Sequence, residues 1–364
     1  MAVVEKLGRK EFRRRLVAGS FPRYPSLRDG IDGLRFVQAD PIRSPARAQD
    51  LILRQRVDGY VAGQLEEEFP KLEAEEGYLF AYGFMPREVW RHLRSQPSGK
   101  LSQRKRDVLA AVEEMGDVRS RDLDDLFGKR SVRNYWGGTS RESKRILEDL
   151  HDEGYLRVSR REKGNRIYAV IEEAWSDVDP AVKYRALLET TAHVFGPVSK
   201  RFLLSEIRFL NHLMPKRRER DELVDRLVGE GALSWLSVDG IEYLWVAESW
   251  GSLEVSDRVR ILAPFDPLVR DRERFEQVFG WEYRFEAYVP AKKRMRGYYA
   301  MPLLWRDEVV GWANAKVEDE RLKVEFGYVG SSPRTKVFRK AAEREVEAMA
   351  MFLGLGKGCW EIRL

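Results

Sequence analysis

The sequence has one cysteine, Cys359, and four histidines, His92, His151, His193 and His212, in 364 residues. One thiol excludes a disulfide framework and a cysteine zinc site within the chain, and it suits a reducing compartment. The histidines show no ligand spacing to one another, so no metal and no cofactor is expected. No apolar run approaches the ~18 residues of a membrane span. The opening residues, MAVVEKLGRKEFRRRL, lack the apolar core of a signal peptide. A cytoplasmic, nucleoid-associated monomer is therefore the expectation. Walker A, GxGxxG, HExxH and GxSxG motifs are all missing, which removes the commonest nucleotide, zinc-protease and serine-hydrolase readings.

What is present is charge and pattern. Hydrophobic residues make up 43% of the chain, enough for real cores, and 65 Lys+Arg stand against 59 Asp+Glu. The length allows several domains. Helices are expected over 4–18, 26–34, 45–57 and 87–95, with an aromatic strand-like stretch at 77–84. A linker reads at 96–102. Helices at 103–115, 119–127 and 140–153 then precede strands 155–160 and 166–170 around Lys163-Gly164-Asn165. Three helices and a hairpin are the order of a winged helix. The order returns with helices 181–195, 198–210 and 217–229 and strands 232–238 and 241–248 around Asp239-Gly240, a strong hairpin turn. From about 259 the pattern becomes β-rich, with strands expected at 282–290, 297–305, 308–317 and 321–329, then helix 334–353. Those strands suggest a small barrel or a strongly bent sheet. The expected fold class is α+β: tandem winged-helix (helix-turn-helix) domains, then a C-terminal β barrel, divided at 1–96, 97–176, 177–257 and 258–364.

The basic residues are not evenly spread. From Lys129 to Arg166 there are 11 Lys/Arg and 6 Asp/Glu. The excess falls on the third helix (Arg141, Lys144, Arg145) and on the wing (Arg157, Arg160, Arg161, Lys163, Arg166). A winged helix lays these elements on DNA, where such cations supply affinity without sequence preference. A solvated face would show the same charges. A β hairpin expected at 289–298, VPAKKRMRGY, adds Lys292, Lys293, Arg294 and Arg296 with no acid. It is a second candidate contact, or a turn kept soluble by charge.

Residues 34–50, LRFVQADPIRSPARAQD, hold the candidate chemistry. In an extended segment Gln38 and Asp40 point to one face, and Pro41 keeps Asp40 out of the α region. Ser44 reads as an N-cap with Pro45 opening the next helix. An amide and a carboxylate side by side can bind and polarise one water. A polar strand end before a helix would look alike, and spacing alone does not choose.

Three segments, FVQADPIRSPARAQDLIL (36–53), SKRILEDLHDEGYLRVSRREKGNRIY (143–168) and ILAPFDPLVRDRERFEQVFGWEYRFEAYVPAKKRMRGYY (261–299), resemble the AlkZ- and YcaQ-like DNA glycosylases. The resemblance implies tandem winged helices, the first unit included, a β barrel, and a concave basic surface for double-stranded DNA. It further implies excision of N-alkylated purines, interstrand-crosslinked bases among them. The family signature is Gln-x-Gln in one branch and Gln-x-Asp in the other. Gln38-Ala39-Asp40 is similar to the second, making Gln38 and Asp40 the catalytic candidates. Some members also use a histidine near the N-terminus, whereas the first histidine here is His92. A rival reading of tandem winged helices is a non-catalytic DNA-binding regulator.

Overall fold

The computed structural model describes residues 5–94, 100–133, 138–172, 178–246 and 255–363. The helix expected over 4–18 divides at Gly8 into strand β1 (Glu5–Leu7) and helix α1 (Arg9–Gly19). β1 pairs in parallel with Leu236–Val238, more than 200 residues away, a contact no local period reveals. Phe12, Leu16 and Val17 of α1 bury against Tyr243, Trp245 and Leu268. Helix α2 (Leu27–Leu34) starts as expected, with Ser26 accepting the Asp29 N–H. Strand β2 (Val37–Gln38) follows, then helices α3 (Ala48–Leu53) and α4 (Gln64–Glu68).

Two local expectations fail here. Ser44 caps no helix; its hydroxyl donates to the Ala315 carbonyl at 3.3 Å, and α3 begins only at Ala48. The tertiary partner outcompetes the local one. The aromatic stretch 77–84 is not one strand. It is the middle of a hairpin, β3 (Ala74–Tyr78) and β4 (Tyr82–Pro86), on which β2 makes the outer strand. Helix α5 (Arg87–Leu93) then begins directly after Pro86.

Most of the expected linker at 96–102 lies outside the described residues. Beyond it come α6 (Gln103–Met115), α7 (Asp124–Phe127) and a small pair, β5 (Ser131–Arg133) with β6 (Thr139–Arg141). The helix expected from residue 140 starts later: Ser140 lies in β6, and α8 (Glu142–Asp152) begins after Arg141. Strands β7 (Leu156–Glu162) and β8 (Asn165–Val170) form the wing-like hairpin. Its turn residues Lys163 and Gly164 have φ of 50° and 82°, the consecutive positive values a tight hairpin turn requires.

Helices α9 (Pro180–Phe195), α10 (Lys200–Glu206) and α11 (Arg217–Gly229) lead to β9 (Ser234–Val238) and β10 (Ile241–Trp245). Asp239 and Gly240 repeat the turn, with φ of 49° and 86°. The expected strand 241–248 runs past 246 outside the described residues.

The C-terminal part contains β11 (Val259–Ile261), α12 (Pro267–Arg270), α13 (Arg272–Phe279), β12 (Met301–Trp305), β13 (Glu308–Glu318), β14 (Arg321–Tyr328), α14 (Lys336–Phe352) and β15 (Trp360–Arg363). The five strands run in the order β11-β12-β13-β14-β15, and the last pair is parallel. The sheet is a curled half-barrel, the strongly bent sheet of the two expected forms rather than a full barrel. Its concave side is filled by Phe338, Ala342, Val346 and Met349 of α14, so a helix takes the place of missing strands. Residues 282–290 form no strand, and 289–298 is no β hairpin. Only a short 3-10 turn, Ala291–Lys293, interrupts an irregular loop there.

Candidate active site

Gln38 and Asp40 lie where β2 leaves its sheet. Val37 and Gln38 pair with Phe84 and Gly83 of β4, and the Ala39 N–H donates to the Tyr82 carbonyl at 2.9 Å. Gly83 leaves room for this approach: a Cβ there would stand 2.5 Å from the Phe36 ring. Asp40 is released beyond the ladder. One carboxylate oxygen accepts the Ile42 N–H at 2.9 Å, an Asx turn that fixes the side chain. Its own N–H donates to Gln49 Oε1 at 3.4 Å. Among the described residues Asp40 forms no ion pair. Burial raises its pKa above the ordinary carboxylate value, and the Ile42 N–H pulls the other way.

The partner of Gln38 was not foreseen. Arg270, at the end of α12, donates from Nη1 to Gln38 Oε1 at 3.1 Å. The same guanidinium binds the Phe80 carbonyl at 3.2 Å and Glu206 at 3.0 Å. A guanidinium only donates, so it fixes the amide with its oxygen toward Arg270 and its NH2 turned away. The segment FDPLVRDR holds the arrangement together. Asp266 takes a bidentate bond from buried Arg56 at 2.8 and 2.9 Å and caps α12. Arg274, also buried, donates to the carbonyls of Phe195, Pro197, Pro267 and Leu268. The sequence signal was available, since this segment carries much of the family resemblance.

A cleft of about 820 Å³ begins at Pro41, the residue after Asp40. Its wall includes Arg119, Arg121, Lys144, Arg161, Lys163 and Arg166, with Glu148 and Glu162. The expected basic residues divide on it by how they are held. Lys144, Arg145 and Lys163 are exposed. Arg161 is tied to buried Glu76 at 2.8 Å, and Arg166 lies 4.1 Å over the Tyr82 ring with Glu148 at 3.4 Å. Arg160 pairs with Glu162 and Asp117, and Arg141 with Asp124. The β7–β8 hairpin is thus anchored to the hairpin that backs Gln38.

The loop 286–298 differs. Buried Glu286 accepts the N–H groups of Met295, Arg296 and Gly297 at 2.9, 2.8 and 3.3 Å. Arg294 donates to the Val289 carbonyl at 2.8 Å, while the Arg296 carbonyl accepts from Trp312 and Asn314. Lys292 and Lys293 are exposed. None of the four cations has a carboxylate partner among the described residues. Glu286 was missed in the sequence because an acid ahead of a basic loop reads as ordinary surface charge.

A basic cleft lined by Pro41, the residue after a half-buried carboxylate that forms no ion pair among the described residues, is a surface suited to nucleic-acid chemistry. The family model for AlkZ-like DNA glycosylases matches residues 31–352, and the chain belongs to that family. It is a DNA glycosylase, a class of DNA-repair enzyme. The fold is similar to that of a Streptomyces sahachiroi DNA glycosylase AlkZ, with a TM-score of 0.62 at 15% identity over 98% of this chain and 100% of that one. Among the described residues no helix is long and apolar enough to cross a membrane.

Proposed function

We propose that the enzyme hydrolyses the N-glycosidic bond of N-alkylated purines in double-stranded DNA, leaving an abasic site without cutting the strand. Alkylation at N7 makes the purine cationic and weakens its bond to the sugar. Departure then needs little acid catalysis. It needs stabilisation of an oxocarbenium-like sugar and a placed water. The Asp40 carboxylate supplies negative charge for the first and a general base for the second. Gln38 presents its NH2 to the same water, because Arg270 occupies its oxygen. The observation that carries this reading is the continuity of the basic cleft with Pro41, next to an acid that no cation neutralises among the described residues.

In this reading residues 97–176 and 177–257 act as winged helices, the first unit is a third, and 258–364 is a separate C-terminal domain. Arg141, Lys144, Arg145, Arg160, Arg161, Lys163 and Arg166 border one duplex path, and Lys292, Lys293, Arg294 and Arg296 brace it from the other side. Glycosylases usually extrude the whole base. A crosslinked base cannot swing free of its partner strand, and a half-exposed Asp40 beside an open cleft suits that substrate too.

The test uses a duplex with one 7-methylguanine. Asp40→Asn is expected to slow single-turnover base release by about 100-fold or more, with folding and DNA affinity retained. Alkali should then cleave the wild-type product, whereas untreated product stays intact. Release by Asp40→Asn at the wild-type rate would remove Asp40 from the mechanism. No release by the wild-type enzyme would remove the substrate.

A further inference from the structure

Among the described large hydrophobic side chains, Met295 and Tyr288 are the most exposed, at 83% and 80%. Both lie on the loop 286–298, with Tyr298 beside them at 45%. Grouped exposure of this kind marks a contact surface. The loop is not slack, since the Glu286 carboxylate gathers three of its N–H groups and Arg294 packs 4.9 Å over Tyr298.

The same frame holds the loop and the Gln38–Asp40 segment. Tyr288 meets Phe285 edge-on at 6.1 Å, and Phe285 meets Phe265 at 5.1 Å and Tyr299 at 5.4 Å. Phe265 opens the segment whose Arg270 grips Gln38. On the other side, Ser44 binds the Ala315 carbonyl, and neighbouring Asn314 binds the Arg296 carbonyl. After burial, the Asp40 charge is the next cause raising the pKa of both Tyr288 and Tyr299, so both hydroxyls lie within its electrostatic reach.

We propose that Tyr288 selects for charged bases: its exposed ring and the Asp40 carboxylate together form a site for a cationic, alkylated purine. The proposal rests on the glycosylase reading above and names how that site tells damaged from undamaged bases. A π face attracts a cation through its quadrupole, and a nearby carboxylate adds a like-directed field. A neutral purine of the same outline gains stacking but not this attraction. The arriving cation also favours the ionised form of Asp40, which burial opposes.

Two non-hydrolysed probes separate charge from shape. One duplex carries 2′-fluoroarabino-7-methylguanine, cationic and resistant to hydrolysis. The other carries 7-deaza-7-methylguanine, neutral and of the same outline. Wild type is expected to bind the cationic probe about tenfold more tightly. Tyr288→Leu, at an exposed position that leaves folding intact, is expected to reduce that preference to about twofold, whereas Tyr288→Phe keeps most of it. Full preference in the Leu variant, equal weakening of both probes, or no preference in wild type would each overturn the proposal. Release of 7-methylguanine by wild type is measured in parallel. Its absence counts against the glycosylase substrate alone, while normal release with an unaltered probe ratio in the Leu variant counts against Tyr288 alone.

Discussion

The hairpin β7–β8 and the loop 286–298 carry similar numbers of basic residues and use them oppositely. In the β7–β8 hairpin, Arg161 and Arg166 are turned inward to Glu76, and Arg160 is held by Glu162 and Asp117. In the loop an acid also organises the structure, but it binds backbone N–H groups and leaves the cations without a carboxylate partner among the described residues. A buried carboxylate paired with arginines fixes one element against another. A buried carboxylate paired with amides fixes a loop's shape and leaves its charge for a partner. Basic residues counted in a sequence therefore overstate a wing's free charge and understate a loop's.

The sharpest way to break this comparison is to remove the two acids. Glu76 is 0% exposed, and Glu76→Gln leaves Arg161 without its counter-charge and Arg166 with Glu148 alone. A loss of about 3 kcal/mol in unfolding free energy is expected by denaturant titration, at the lower end for a broken buried pair because both arginines keep some water. Glu286→Ala should cost less, about 1–2 kcal/mol, since amides freed in a loop regain water. DNA affinity should reverse the order, with Glu286→Ala weakened more than Glu76→Gln. Equal effects in both assays would erase the distinction.

Next in size is binding. Lys292→Ala with Lys293→Ala is expected to lower DNA affinity and reduce the slope of log K against log salt by about 2. Lys163→Ala, the exposed wing-tip cation, should change that slope by about 1 or less. A larger effect from the wing tip would assign the duplex path chiefly to the wing.

Much of this architecture could be read in the chain beforehand, for identifiable reasons. Hairpin turns at Lys163-Gly164 and Asp239-Gly240 are local chemistry, and both stand where expected. The helix capped by Ser26 is local too. What escaped was decided at long range. β1 exists because Leu236–Val238 offers it an edge, and Ser44 is drawn to Ala315 instead of to a helix. Residues 282–290 alternate like a strand, yet Tyr283 packs on Trp281 and Phe285 on Tyr299, with no ladder. In the site, Gln38 and Asp40 were legible as a pair. Arg270, 232 residues from Gln38, was not, because nothing local says which arginine an amide will meet.

The smallest expected effect concerns Asp40, the acid that belongs to neither basic element. Its pKa is raised chiefly by burial, so folding disfavours its ionised form. The native state then holds the proton more tightly than the unfolded chain does. Its contribution to stability is complete below the unfolded pKa and is lost as pH rises through the folded one. At neutral pH Asp40→Asn should therefore melt slightly higher than wild type, and the advantage should vanish in acid below the ordinary carboxylate range. The acid limb of the excision rate should likewise sit above the pKa of a free aspartate, because only the carboxylate serves as base. A variant that melts lower at neutral pH would mean that the Ile42 N–H outweighs burial. In that case Asp40 is stabilised by its turn, and its charge is not held at a cost for use on a substrate.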